Sequence, residues 1–307
     1  MESATGPRVA ISGASGFLGS ALAAALEADG VTVLRLVRRK STRPGDVLWD
    51  PVNAVIDTEP LEGIDAVVHL AGESISGVWS PAKKKRIFES RSAGTRLLAS
   101  ALSRLGTPPR AFISASAVGY YGNSGEAVLT EQDPPGDDFL AKVCIAWEDA
   151  TASAVRAGIR VVNPRFGLIL DPGGGAFPLM AAPFRFGLGP RLGSGRQWLS
   201  WISLADAVRV LQFCLDSGTL EGPVNAVAPQ PIRNAEFTSL LGKALRRPTF
   251  LIAPSFVLRA ATGGMADSLL LTSQRVLPEV LSGEGFTFTD PTFEDFLIRR
   301  MGWTPRS

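Results

Sequence analysis

The chain has 307 residues, 45% hydrophobic and 20% charged, with 31 basic and 29 acidic residues and a formal charge of +2. One histidine and two cysteines, Cys144 and Cys214, cannot supply a Cys/His zinc site or a disulfide framework, and they fit a reducing compartment. The near-balanced charge leaves no nucleic-acid stripe, the basic run Lys83–Arg86 reads as a solvated helix face, and no stretch reaches the roughly 18 apolar residues that span a bilayer.

At roughly 100–200 residues per domain, the length allows one large domain with a smaller appendage. Val9 to Leu26 is apolar but lacks a basic leader and is interrupted by Gly and Ser, which predicts a folded segment of a cytoplasmic protein. A Ser-His-Asp hydrolase would have to use His69, and no G-x-S-x-G elbow supports it.

Arg8–Ser12 is the first predicted strand. Gly13, Gly16 and Gly19 follow it, and Phe17, Leu18, Ala21, Leu22, Ala25 and Leu26 recur at helical spacing up to Gly30. Val31–Val37 reads as the second strand and Ile64–Leu70 as another. A helix spans roughly Ser80 to Leu105, with strand Phe112–Ser116 after it. A further helix covers about Asp138 to Ala157, and strand Ile159–Phe166 follows. This alternation predicts βαβ units and a doubly wound parallel sheet, a Rossmann fold of class α/β, with helices on both faces. After about Leu170 the texture changes. Asp171–Gly175 and Phe186–Gly195 are rich in Gly and Pro and read as loops, and helices return at Leu204–Asp216 and Ala235–Leu245. The predicted division is a dinucleotide-binding domain over 1–170, to which about 196–230 returns, and a smaller C-terminal lobe over 171–307.

Between a strand and an amphipathic helix, Gly13-x-x-Gly16-x-x-Gly19 has the context that a pyrophosphate-binding turn requires. The helix N-terminus offers free amides and a positive dipole end, with Ser15, Phe17 and Leu18 beside the glycines. NAD(H) calls for an acidic residue near the end of the second strand. Here Val37 is followed by Arg38, Arg39 and Lys40. Arginine forks suit a 2′-phosphate, so the expected cofactor is NADP(H) rather than NAD(H).

The glycine motif, His69-Leu-Ala-Gly72, and Ser114-Ala-Ser-Ala-Val-Gly-Tyr-Tyr-Gly122 together resemble extended short-chain dehydrogenase/reductases. Leu70-Ala-Gly-Glu73, Ser90-Arg91, Trp147-Glu148, Gly193-Ser-Gly-Arg-Gln197, Trp201-Ile202 and Ser273-Gln-Arg-Val-Leu-Pro278 narrow the resemblance. The chain is similar to the NAD-dependent epimerase/dehydratase-like proteins of the epimerase family group, over nearly its whole length. The match includes that group's C-terminal extension, about Arg247 to Met301. The resemblance implies that Leu70, Ala71 and Gly72 line the cofactor and that Pro164 and Arg165 lie near its nicotinamide half. It further implies an oxidoreductase or epimerase-like enzyme acting on a small polar metabolite. An NADP(H)-binding sensor with little turnover is the alternative, and a homodimer stays open. Neither nucleic acid nor membrane is an expected partner.

The family's Tyr-x-x-x-Lys arrangement is absent. The only tyrosines are Tyr120 and Tyr121, in the turn after the serine strand. In the helix that should carry the motif, Lys142 stands four after Asp138. If Trp147-Glu148 sets the register instead, Leu140 and Cys144 take the tyrosine and lysine places. The candidate catalytic residues are therefore Ser116, Tyr121 and Lys142. Tyr121 is read either as a proton donor or as packing, and Lys142 either as a site lysine or as surface. Arg91 stands where relatives often have Asn and is read as a phosphate or carboxylate ligand. His69 reads as a packed histidine and the cysteines as core. Trp198 and Trp201 either line a pocket or pack.

Overall fold

The computed structural model describes residues 6–262 and 264–304. Its main sheet is built from β1 (Arg8–Ser12), β2 (Thr32–Val37), β3 (Asp46–Asp50), β4 (Val55–Ile56), β5 (Ala66–His69), β6 (Ala111–Ser114), β7 (Arg160–Phe166) and β8 (Gly222–Ala226). They lie in the order β8-β7-β6-β5-β1-β2-β3-β4, and the short strand Ser116–Ala117 pairs with the end of β7. Neighbours run parallel except β3 and β4. The sheet is the doubly wound one expected from the alternating pattern. Chain order reverses direction between β1 and β5, which opens a crevice at the carboxyl ends of those strands.

The strands bury both faces because successive side chains point opposite ways. Val9 and Ile11 of β1, with Val68 and Ile113 from its neighbours, join one core with Leu22 and Leu26 of α1 (Phe17–Ala28). Ala10, Val67 and Phe112 face a second core with Leu98 and Leu102 of α2 (Pro81–Leu102). The predicted helix over Asp138–Ala157 is broken into α3 (Phe139–Asp149) and a short helix at Ala152–Arg156. At the break the Thr151 hydroxyl donates to the Glu148 carbonyl at 2.7 Å, a local bond that competes with helix continuation.

The Gly/Pro-rich region holds a helix that its composition hid, α4 (Phe177–Arg185). Pro178 sits in its first turn, where a missing N–H costs little. Next, α5 (Leu204–Asp216) lays Val210 and Leu211 into the same core as α1. A separate apolar core joins Phe177 and Phe184 of α4 to Phe237 and Leu241 of α6 (Asn234–Leu245) and to Phe293 and Phe296 of α7 (Phe293–Met301). Asp206 ties the two parts. Its buried carboxylate accepts from the amides of Thr289 (2.9 Å) and Asp290 (2.8 Å), while its own amide donates to the N-cap Ser203. Among the described residues no helix is long and apolar enough to cross a membrane, and no cluster of His, Cys, Asp and Glu could hold a metal ion.

Candidate functional site

The glycine turn lies at the reversal of strand order. Gly13 adopts φ +73°, and a Cβ there would stand 3.0 Å from the Ala71 amide nitrogen. At Gly19 a Cβ would meet the Gly13 carbonyl oxygen at 2.2 Å. The turn is closed by the Gly16 amide donating to the Gly13 carbonyl at 2.8 Å. No side chain caps α1 at Gly16, so its first amides are left for an external acceptor. Ser15 is exposed beside them. Phe17 lies under the Gly174-Gly175 turn, where a Cβ on Gly175 would sit 2.6 Å from the ring.

Ser12 pins β1 to the end of β5. Its Oγ accepts from the amides of Leu70 (3.1 Å) and Ala71 (3.2 Å). The hydroxyl proton therefore goes to His69 Nδ1, 2.6 Å away, and the imidazole proton to Nε2. Burial, then the charge of Arg91, push the His69 pKa down to about 3, so the ring is neutral. It packs edge-on against Trp49, as a core histidine.

Arg91 reaches from α2 under this turn. Its Nη1 donates to the carbonyls of Glu73 (3.0 Å) and Ile87 (3.2 Å), and its guanidinium lies 4.9 Å from the Trp147 ring centroid. A Cβ on Gly72 would stand 3.1 Å from Arg91 Cζ. Arg91 thus links the end of β5 to α3. The basic run of α2 is not only a solvated face, because Lys83 Nζ donates to Glu73 Oε1 at 2.8 Å and holds the same loop. Arg38 and Arg39 stand exposed at the end of β2, on the other side of β1.

The second part of the site is made of side chains. Ser116 Oγ donates to Glu148 Oε1 at 2.6 Å. Arg165, in register with Ser116 across the sheet, grips the same carboxylate twice, Nε to Oε1 at 2.9 Å and Nη2 to Oε2 at 2.8 Å. Its Nη1 donates to Tyr121 Oη at 3.0 Å, and Tyr121 donates to Asn225 Oδ1 at 2.7 Å. The guanidinium stacks 3.5 Å from the Tyr120 ring centroid. Pro164 is buried within β7, in register with Val224 of β8.

The geometry bears on the two open readings, Tyr121 and Lys142. Tyr121 is buried with its proton committed to Asn225, and burial pushes its pKa up to about 12. Its hydroxyl bridges Arg165 and Asn225. Lys142 is exposed on α3, whereas Leu140, Cys144 and Glu148 fall at four-residue spacing on the helix side that faces the cluster. This is the spacing of the Trp147-Glu148 register, in which Leu140 and Cys144 take the tyrosine and lysine places. Leu140 lies against Gly119, as does Cys144. Burial, with the nearby Glu148 charge, raises the Cys144 thiol to about 12.

Asn225 and Glu131 were not singled out from the sequence, although Glu131 Oε1 accepts from the Asn225 amide at 2.9 Å and so fixes the bridge. Only the folded sheet brings them together. Of the two tryptophans, Trp201 packs with Phe293 and Phe296 in the lobe core. Trp198 is held between Arg233 and Arg275, and its Nε1 donates to Glu126 at 3.0 Å.

Residues 9–226 match the family model described as NAD dependent epimerase/dehydratase family, and residues 253–298 match a domain of unknown function, DUF1731. Epimerase family protein Mb2239 of Mycobacterium bovis is 47% identical over 290 residues, covering 94% of this chain and 96% of that one. A crystal structure of human epimerase family protein SDR39U1 with NADPH superposes with a TM-score of 0.87 at 35% identity, over 96% of this chain and 99% of that one. A nucleoside-diphosphate sugar epimerase from Corynebacterium glutamicum gives a TM-score of 0.81 at 36% identity. That match covers 97% of this chain but 58% of the longer Corynebacterium chain.

Proposed function

The chain belongs to the NAD dependent epimerase/dehydratase family, and we propose that it is an NADP(H)-dependent oxidoreductase or epimerase-like enzyme acting on a small polar metabolite. The observation that carries this reading is the uncapped α1 behind the glycine turn, with Arg38 and Arg39 at the end of β2 and no carboxylate following Val37 there. The residues fit the cofactor. A Cβ at Gly13 or Gly19 would push into backbone, and the free amides of α1 face a place suited to a pyrophosphate. The human relative's NADPH supports the same choice.

Gly13, Ser15, Gly16, Phe17, Leu18 and Gly19 would hold the pyrophosphate, Arg38 and Arg39 the 2′-phosphate, and Leu70, Ala71 and Gly72 the cofactor's flank. Arg91, Pro164 and Arg165 shape the far end from beneath. When bound, the nicotinamide supplies hydride transfer. Ser116 Oγ, its proton given to Glu148, would meet the substrate as an acceptor, taking a hydrogen bond from a substrate hydroxyl. Glu148, fixed by the two bonds from Arg165, sets where that hydroxyl points.

A second reading is an NADP(H)-binding sensor with little turnover. It is favoured by the buried, apolar Leu140 and the buried Cys144 in the places of the family's acid/base pair. Titration with each dinucleotide tests the shared premise. NADPH should bind at least about tenfold more tightly than NADH, about 1.4 kcal/mol. Arg38→Ser with Arg39→Ser should erase the difference, and a preference for NADH in the wild type would overturn it. A panel of carbonyl and hydroxyl metabolites with NADPH then separates the two readings. Turnover lost in Ser116→Ala supports the enzyme, and tight binding without turnover supports the sensor.

A further inference from the structure

Half of the exposed large apolar side chains among the described residues gather on two segments. Seven of the fourteen lie between Leu179 and Leu188 or between Phe250 and Val257. The segments are neighbours in space. Arg191-Leu192 runs parallel to Ile252-Ala253, the Arg191 amide donates to the Leu251 carbonyl at 2.9 Å, and Arg247 Nε donates to the Arg185 carbonyl at 3.0 Å. Phe186, Phe250 and Phe256 stand out from the surface at 80%, 77% and 70% exposure. Leu179 and Phe186 are seven residues apart on and just past α4, which puts them on one stripe. Phe256 and Val257 open the helix Ser255–Thr262. Exposed apolar side chains concentrated on two adjoining segments in this way mark an interaction site.

Its charge is one-sided. Residues 172–205 and 237–266 contain three and four basic residues respectively and not one Asp or Glu, in a chain whose 31 basic and 29 acidic residues nearly balance overall. Arg185, Lys243, Arg246 and Arg247 are exposed around the apolar residues. Among the described residues these four have no carboxylate partner, whereas Arg259 pairs with Asp267. A second copy of this chain would bring like charges together, which disfavours an isologous dimer here. Phe186 and Phe256 project from the surface, as suits insertion between lipids, and Phe250 stands at the rim of a shallow groove with Thr249 and Ile252.

We propose that this face docks on an anionic phospholipid bilayer, Phe186, Phe250 and Phe256 entering the interfacial zone and the arginine and lysine rim meeting headgroup phosphates. The chain then sits on a membrane surface without spanning it.

Sedimentation of the purified full chain with vesicles tests this. With phosphatidylglycerol/phosphatidylcholine vesicles at low salt most of the protein should pellet, with pure phosphatidylcholine vesicles little should. At 0.5 M salt the bound fraction should fall several-fold. Phe186→Ser with Phe256→Ser, and separately Arg246→Ser with Arg247→Ser, should each cut binding at least about fivefold. All four positions are exposed, so unchanged NADPH affinity and melting temperature will show that the variants are folded. Wild-type protein that stays in the supernatant with anionic vesicles overturns the proposal. So does vesicle binding indifferent to both double substitutions. Two further outcomes also overturn it: dimers in solution that Phe186→Ser with Phe256→Ser dissociates, and retention on immobilised polyaspartate without retention on vesicles.

Discussion

At the β1–α1 turn the contacts are between backbone atoms, and glycines at Gly13, Gly16 and Gly19 exist to permit them. At Ser116 the contacts are between side chains delivered by a short strand, a turn, α3, β7 and β8. The first region is a seven-residue turn set against the Leu70-Ala71 backbone, and its close fit needs the absence of Cβ atoms. The second depends on residues as far as 104 positions apart, as in the bond from Tyr121 to Asn225. A backbone-built site is most sensitive at its glycines, where any side chain meets backbone. A side-chain-built site fails as a unit, because each polar group is buried with its partner.

The contrast predicts the largest effect at Arg165. Replacing it with Leu leaves the Glu148 carboxylate without its bidentate partner and should destabilise the fold by about 3–5 kcal/mol. Adding Glu148→Gln to Arg165→Leu should recover part of that loss, because no buried charge is then stranded. Denaturant unfolding of the two single variants and the double variant measures the coupling. Simple additivity would break the view of this cluster as one unit.

Gly19→Ala comes next. Its Cβ would lie 2.2 Å from the Gly13 carbonyl, so the turn must shift. A stability loss of about 1–3 kcal/mol is expected, with NADPH affinity reduced far more than by any change at Ser116. Equal loss of affinity in Gly19→Ala and Ser116→Ala would erase the distinction between the two regions.

Tyr121→Phe sharpens the second region. Removing the hydroxyl leaves Asn225 Oδ1 and an Arg165 N–H unpaired, at a cost of about 1–3 kcal/mol near neutral pH. The folded-state pKa of Tyr121 is raised from its ordinary 10 to about 12, first by burial. The native state thus holds the phenolic proton more tightly than the unfolded state. That contribution is complete below pH 10 and is lost as pH rises towards 12, with a slope of up to about 1.4 kcal/mol per pH unit. The phenylalanine variant lacks this component, so the stability gap between it and the wild type should narrow from pH 10 to 12. A constant gap would mean that the phenol is not held neutral in the fold.

The same contrast explains what could be read from the sequence. The unbroken apolar run around Val9, Ala10 and Ile11, which the fold divides between two cores, and the glycine spacing are short-range patterns, and both were legible. So was Ser116, which lies in a strand motif. The pairing of Glu148 with Ser116 and Arg165 was not, because the residues lie 32 and 17 positions apart and meet only when α3 packs beside the Ser116–Ala117 strand at the end of β7. Trp147-Glu148 stood out as a motif, but nothing in it said that the acid faces a serine. Asp46–Asp50 gave no strand signal of its own, since both ends are acidic and only Val47, Leu48 and Trp49 stand between them; its alternating burial shows only in the fold. In α4 the prolines and flanking glycines masked a helix whose Phe177, Ala181 and Phe184 nonetheless recur at helical spacing.

Lys142 marks the smallest effect and separates the two registers of α3. A lysine acting in proton transfer must bring its ammonium to the reacting atoms, and its loss would cut turnover strongly. Here Lys142 is exposed between the buried Ala141 and Val143, while Cys144 occupies the buried place beside Gly119. Lys142→Ala should therefore change stability by no more than about 0.5 kcal/mol and leave NADPH affinity unaltered. Cys144→Lys should do the opposite. It would force an ammonium into a site closed by Leu140 and Gly119, and should destabilise the chain more than Lys142→Ala by several-fold in free energy. If Lys142→Ala abolishes a turnover that Ser116→Ala spares, the register set by Glu148 is wrong, and the side-chain cluster is a structural clamp rather than part of the site.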